Sequence, residues 1–209
     1  MNTIHVFKRA AAPPEPEPPP LPEDAAPVAA SLEHPDRFTE VFDLYYAEIH
    51  RYIDRRLGAD AADDLAAETF LVAFRKRSGF DPRKGSARSW LYGIATRLVS
   101  RHRRDEVRRY RSLARIGGEP SGEGHDDRVV SRVAASAAGG RLGAALAGLS
   151  SGDRDVLLLV ALADLTYPEV AQALGVKYGT VCSRLSRARR QVREALGGVD
   201  PLGTENDHG

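Results

Sequence analysis

Between Gly179 and Glu194 the chain carries Arg184, Arg187, Arg189, Arg190 and Arg193, with no acid before Glu194. Val181, Leu185, Ala188 and Val192 interleave them at the spacing of an amphipathic helix. A guanidinium neutralises a phosphate, or grips a guanine edge through two hydrogen bonds. The chemistry on offer is therefore recognition of a polyanion rather than bond making. Just upstream, "LTYPEVAQALGVK" places Thr166 three residues before Glu169, a capping box, with Pro168 in the first turn and Gly175 as a stop. A short capped helix, a turn at Gly175-Val176-Lys177 and a longer basic helix make a helix-turn-helix layout. The second helix of that layout lies in the major groove. With the apolar stripe turned inward, Thr180, Ser183, Arg184 and Arg187 fall on the other side, and Lys177 and Tyr178 stand at the helix start for backbone contacts. A merely solvated basic face is the alternative. Capping box, turn, stripe and charge agree in favouring DNA.

A second basic stretch differs in kind. "SWLYGIATRLVSRHRRDEVRR" has Trp90 and Tyr92 at its start and arginines crowding its end. Aromatics beside a basic surface stack on unpaired bases while arginines track the backbone. Trp90 alone reads better as a core residue; the combination favours nucleic acid.

These segments need helices to hold them. "FTEVFDLYYAEIHRYIDRRLG" places Phe38, Val41, Phe42, Tyr45, Ile49, Tyr52 and Ile53 near helical spacing, with Gly58 as a stop. "DAADDLAAETFLVAFRKR" predicts a second helix capped by Asp60, with Ala67, Phe70, Leu71 and Phe74 on its inner face. "GFDPRKGSA" reads as a loop, and a third helix starts near Ser86 with Leu91, Ile94, Ala95 and Leu98 inward. Residues 116–140 are rich in Gly, Ser and acids. The first half is a linker, and a helix starts near Asp126. Ser150 or Ser151 caps a further helix with Val156, Leu157, Val160 and Ala161 inward. Residues 10–27, "AAAPPEPEPPPLPEDAAP", predict a disordered or polyproline-like tail that forms no helix. No strand pattern and no repeat stands out. The expected fold is all-α: a tail over 1–36, a helical module over 37–111, a flexible linker over 112–138, a helix-turn-helix module over 139–197 and a tail over 198–209.

The 209 residues sum to a net charge of only +1, but the charge is segregated: acidic in the first 36 residues, basic in the two helices above. Cys182 stands alone, which excludes an internal disulfide and a cysteine-rich metal site. A redox role for it is a minor reading. His50 and His102 have no second ligand at metal spacing. Asp63, Asp64 and Glu68 share one amphipathic helix and read as a docking surface. No apolar run reaches the roughly 20 residues of a membrane-spanning helix, and no secretory signal precedes the first helix. A soluble cytoplasmic protein is expected. No nucleophile elbow, phosphate loop or zinc spacing appears, so no enzyme, cofactor or metal is expected.

Three segments carry a resemblance. "DDLAAETFLVAFR", "SARSWLYGIATRLVSRHRR" and "LTYPEVAQALGVKYGTVCSRLSRARRQVREAL" resemble, in this order, the core-binding, promoter-melting and DNA-binding segments of bacterial RNA polymerase sigma factors of the extracytoplasmic-function group. The resemblance covers roughly 38–109 and 141–196. It implies a region 2 bundle and a region 4 helix-turn-helix. Asp64, Leu65, Glu68 and Phe70 would bind core RNA polymerase at its beta-prime clamp helices, with the beta flap as a further contact. Phe80, Arg88, Trp90, Tyr92, Arg97, Arg101 and Arg104 would melt and hold the minus-ten element as single strand. Lys177, Tyr178, Thr180, Ser183, Arg184 and Arg187 would read the minus-thirty-five element as duplex. An anti-sigma factor is the further implied partner. The sequence departs from the family pattern at Ala67, where Gln is frequent, at Arg97, where Asn is frequent, and at Cys182, where a basic residue is usual. A stand-alone helix-turn-helix regulator is the alternative, and the front module is what it would have no use for.

Overall fold

The computed structural model describes residue 22 and residues 24–117 and 137–197. Regular structure among them is helical throughout. In chain order it comprises α1 (Ala25–Ala30), a 3-10 turn (Pro35–Arg37), α2 (Phe38–Leu57), α3 (Ala59–Lys76), a second 3-10 turn (Arg77–Gly79) and α4 (Ala87–Gly117). After the gap come α5 (Ala137–Ala147), α6 (Ser151–Ala163), α7 (Tyr167–Leu174) and α8 (Tyr178–Ala195). The helix expected near Asp126 lies outside the described residues.

Gly58 sets the first corner. Its φ of 86° is open to glycine and costly for other residues, and it serves at once as the end of α2 and the cap of α3. Asp60, expected as that cap, is instead the second residue of α3, where its charge favours the positive end of the helix dipole. α2, α3 and α4 pack together as the front bundle. Val41, Ile49, Tyr52 and Ile53 of α2 meet Leu91, Ile94, Ala95, Leu98 and Val99 of α4 in its core. The inner face of α3 is not the expected one. Ala62, Leu65, Ala66, Thr69, Phe70 and Ala73 are buried, while Ala67 is exposed and Leu71 is 47% exposed. Three small alanines on the true inner face let α3 approach its neighbours closely, and they carry little signal in a hydrophobicity pattern.

The tail expected over 1–36 is structured at its end. Pro27 is the third residue of α1, where no intrahelical donor is required. Val28 and Ala25 are buried as α1 packs on α2.

The rear bundle follows its caps. Ser150 Oγ accepts the Asp153 N–H at 3.2 Å and starts α6. The inner face of α6 is Val156, Leu157, Leu159 and Ala163; Ala161, expected inside, is exposed. Thr166 and Glu169 form the capping box of α7, and Gly175, at φ 66°, ends it. Val181, Leu185, Ala188 and Val192 of α8 are buried against α6 and α7, as their spacing predicts.

The two bundles are not separate bodies in this structure. α7 lies along α4, and α6 touches both α2 and α4, so the buried apolar residues form one continuous cluster. Gly93 makes this possible: a Cβ there would collide with the Ala173 carbonyl oxygen of α7.

Candidate nucleic-acid interface

α8 presents its outward face where the helical repeat puts it. Lys177, Tyr178, Gly179, Ser183, Ser186, Arg187 and Arg190 are exposed, and Thr180 and Arg184 are half-buried. Tyr178 is 55% exposed at the first residue of the helix, with its ring 6.4 Å from that of Tyr167. The two arginines singled out on this helix face sideways toward α6. Arg187 Nη1 pairs with Asp153 at 3.3 Å, and Asp153 is buried. The Arg184 guanidinium lies against Gly152, close enough that a Cβ there would crowd it. Ser186 and Arg190 are the outward residues that sequence reasoning missed. They lie three and seven residues beyond Ser183, on the same face, and helical periodicity alone could have found them.

The second candidate surface is built on α4 and the loop before it. Phe80 and Trp90 sit with ring centroids 5.0 Å apart, both half-buried. Arg101 and Arg104 are exposed along the later turns. Tyr92 is not a stacking platform: it is 2% exposed, edge-on to Tyr52 at 5.1 Å, and belongs to the core. Burial, with the charge of Glu48 beside it, pushes its hydroxyl well above the usual tyrosine range.

Two further residues of this set are committed to protein partners. Arg88 donates through Nε to Glu48 at 3.1 Å and through Nη2 to the Ala163 carbonyl at 2.7 Å, and its Nη1 lies 3.9 Å from Glu169. Arg97 is exposed over most of its length but reaches the Ala173 carbonyl at 3.4 Å. Both acceptors on the rear bundle, Ala163 and Ala173, lie in the last turns of their helices, where carbonyls lack intrahelical donors. The bundle contact is completed by Ser89 Oγ, which donates to Gln172 at 3.3 Å. It also holds a buried ion pair, Arg56 Nη2 to Asp155 at 2.6 Å. Arg56 additionally donates to the Tyr52 hydroxyl, which is joined to Thr96 at 2.8 Å.

The third candidate surface is the outer face of α3. Asp64 is exposed and Glu68 is half-buried, so both are open to a partner. Leu65 and Phe70 are not: they are 7% and 4% exposed and pack inward. Phe70 instead supports an aromatic group that reaches the surface, with Phe42 at 5.0 Å and Tyr46 at 6.0 Å, and Phe42 stacked on Tyr46 at 4.7 Å. Beside it His50 meets Asp63 at 2.9 Å. Phe42, which falls on the expected periodic face of α2, is 40% exposed, and Tyr46, outside that expected set, is half-buried beside it.

Among the described residues no cluster of His, Cys, Asp or Glu converges as a metal site. No helix among them is long and apolar enough to cross a membrane.

Comparison with known proteins assigns the two bundles. Residues 41–109 match the family model for sigma-70 region 2, and residues 139–192 match that for sigma-70 region 4. The chain belongs to the sigma-70 family. Its relatives place it in the extracytoplasmic-function group. It is 33% identical over 152 residues to the ECF RNA polymerase sigma factor SigC of Mycobacterium tuberculosis, covering 68% of this chain and 74% of that one. It is 29% identical over 168 residues to the RNA polymerase sigma factor YlaC of Bacillus subtilis, covering 79% and 95%. Two solved structures share the fold at 23% identity. CnrH in complex with the cytosolic domain of CnrY aligns with a TM-score of 0.58 over 83% of this chain and 97% of that one. RpoE in complex with the anti-sigma factor NepR, from Bartonella quintana, aligns with a TM-score of 0.54 over 77% and 96%. α1 lies outside both family matches.

Proposed function

We propose that this sigma factor binds core RNA polymerase through the outer face of α3, holds the melted minus-ten strand on α4 and its preceding loop, and reads the minus-thirty-five duplex with α8. The observation that carries this reading is the pairing of two basic helices with opposite equipment. α8 offers small polar and arginine side chains on an exposed helix-turn-helix face. The start of α4 offers Phe80 against Trp90, followed by Arg101 and Arg104. Duplex readout wants the first, and capture of unstacked bases wants the second.

Asp64 and Glu68 supply the polymerase dock, with Phe42 and Tyr46 as its apolar neighbours. Leu65 and Phe70 support that surface from beneath. The protein makes no covalent bond. It lowers the cost of opening promoter DNA, on the order of a few kcal/mol for each base unstacked, by binding the opened form. The compact arrangement is the polymerase-free one, because Arg88 and Arg97 cannot hold α6 and α7 and a DNA strand together. An anti-sigma factor is the further partner of this reading; RpoE, which shares the fold, is solved in complex with one, NepR. The site of action is the cytoplasm, where core polymerase works.

The test is transcription in vitro. Core polymerase with this chain should initiate from a specific set of fragments of genomic DNA, and core polymerase alone should not. A stand-alone regulator would bind duplex DNA without polymerase and yield no transcripts.

A further inference from the structure

The loop that carries Phe80 runs between Arg77 and Ala87, and both of its ends are tied to the segment that precedes the front bundle. At one end Arg77 Nε donates to the Ser31 carbonyl at 3.1 Å, while its Nη1 donates to the Phe74 carbonyl at 2.6 Å. At the other end the Arg88 backbone N–H donates to Asp24 Oδ2 at 3.0 Å. The first turn of a helix has N–H groups with no partner inside the helix. In α4 the Ser86 hydroxyl takes the Ser89 N–H at 3.1 Å, as a local cap would. The Arg88 N–H is taken by Asp24, 64 residues earlier in the chain. The same Asp24 oxygen accepts the Tyr45 hydroxyl of α2 at 2.9 Å. Asp24 Oδ1 is buried without a partner, a cost that the contacts of Oδ2 must offset.

We propose that α1 is a built-in brace of the strand-capturing loop, and that Asp24 is a positioning residue for promoter melting. It caps α4 from a distance, and Ser31 holds the opposite end of the loop, so the Phe80–Trp90 pair is set at a fixed separation before any DNA arrives. The proposal rests on the reading of that pair as the single-strand surface. A brace of this kind acts on melting alone. It touches neither the outer face of α3 nor α8, so polymerase binding and duplex recognition do not depend on it.

The test uses full-length chain with core polymerase, on promoters first selected as start sites on fragmented genomic DNA. Thymine reactivity toward permanganate reports melting, and a duplex footprint reports the closed complex. With Asp24→Ala the footprint stays, and permanganate reactivity falls about fivefold, the scale of a lost helix cap. Asp24→Asn keeps an acceptor oxygen and restores melting to within about twofold, since Asn caps as well as Asp. Unchanged melting in Asp24→Ala overturns the proposal. So does an Asn variant as defective as the Ala variant, or a matching loss of polymerase and duplex binding. If Asp24→Ala does not fold, Tyr45→Phe decides: reduced melting with an intact footprint supports the brace, and unchanged melting rejects it. Phe80→Ala separates the two levels. If it leaves melting intact, the single-strand reading is what fails. The brace is then judged by amide exchange at Arg88, which must be faster in Asp24→Ala than in Asp24→Asn.

Discussion

Arg56 of α2 and Asp155 of α6 meet at 2.6 Å, with the guanidinium fully enclosed and Ser100 donating to the other carboxylate oxygen at 3.4 Å. A buried pair contributes little net stability, but removing one partner strands a charge at a cost of about 3–5 kcal/mol. Here the stranded Arg56 has an escape, because parting the bundles would return it to water. Asp155→Ala is therefore expected to expand the chain rather than unfold it. Small-angle scattering should show a larger radius of gyration at unchanged helical circular dichroism. An unchanged radius would mean that this pair does not hold the bundles together.

Gly93 tests the same contact by shape instead of charge. Gly93→Ala puts a methyl group into the Ala173 carbonyl, a backbone atom that cannot rotate away. The expected outcome is again expansion, with Ala tolerated by α4 itself as a better helix former than Gly. Combining Gly93→Ala with Asp155→Ala should add little, since one opening relieves both. Fully additive effects would show that the two sites act independently.

Glu68→Lys reverses charge on the outer face of α3. We expect roughly tenfold or greater loss of affinity for core polymerase, mainly through slower association and a changed salt dependence. Binding of duplex DNA by α8 should be untouched. Equal polymerase affinity, measured by competition against the unsubstituted chain, would remove Glu68 from the dock.

On α8 the arginines should separate by what they touch. Arg190→Ala should weaken duplex binding on all sequences alike and lower the salt slope by about 1, as a phosphate contact does. Arg184, lying along Gly152, is expected to cost about 1–3 kcal/mol on specific promoter DNA if it swings out to a base edge. Arg187→Ala should also lower the melting temperature, because it leaves buried Asp153 without its cation. Titrating the three variants against specific and random duplex at several salt concentrations distinguishes them.

Alkaline pH gives a further check. Tyr45, Tyr52 and Tyr92 all have hydroxyls pushed above the ordinary value of 10.0, chiefly by burial, with Asp24 adding to the effect at Tyr45. A group that holds its proton more tightly when folded adds stability below the unfolded value and loses it as pH rises beyond. Stability should therefore be flat up to about pH 10 and fall above it. Ultraviolet titration should find these tyrosines ionising only as the chain unfolds; ionisation with the fold intact would place them in water.

Much of the architecture was readable because local signals agreed. The Thr166–Glu169 capping box, the Gly175 stop and the stripe from Val181 to Val192 each point to the same helix-turn-helix. The Leu91–Leu98 stripe and the Gly58 stop are similarly unambiguous. α3 was misjudged where alanines dominate: with Ala61, Ala62, Ala66, Ala67 and Ala73 available, a hydrophobic face can be drawn at more than one rotation, and contacts with α2 and α4 choose between them. Tyr92 was misread for a related reason. A tyrosine beside arginines looks like a stacking surface until the fold places Tyr52 against its edge. The commitments of Arg88 and Arg97 are not legible in the sequence, because both reach backbone carbonyls of the rear bundle, at Ala163 and Ala173, and Arg88 also pairs with Glu48 of another helix. α1 is hidden in the sequence by its proline-rich approach, although Pro27 stands in a first turn that has no donor to lose.

Arg97 also bears on how variants at that position are to be interpreted. The resemblance puts Asn at this position in many relatives, and under the proposed function exchanging the two is the natural way to probe preference for a minus-ten base. Yet the guanidinium also steadies the final turn of α7, the first helix of the DNA reader in the other half of the chain. On the proposed reading of α4 as the single-strand surface, an Arg97→Asn swap would alter base choice and also remove the contact with Ala173 in one stroke. A shift in transcript profile can then be credited to altered base preference only after the looser docking has been measured and subtracted.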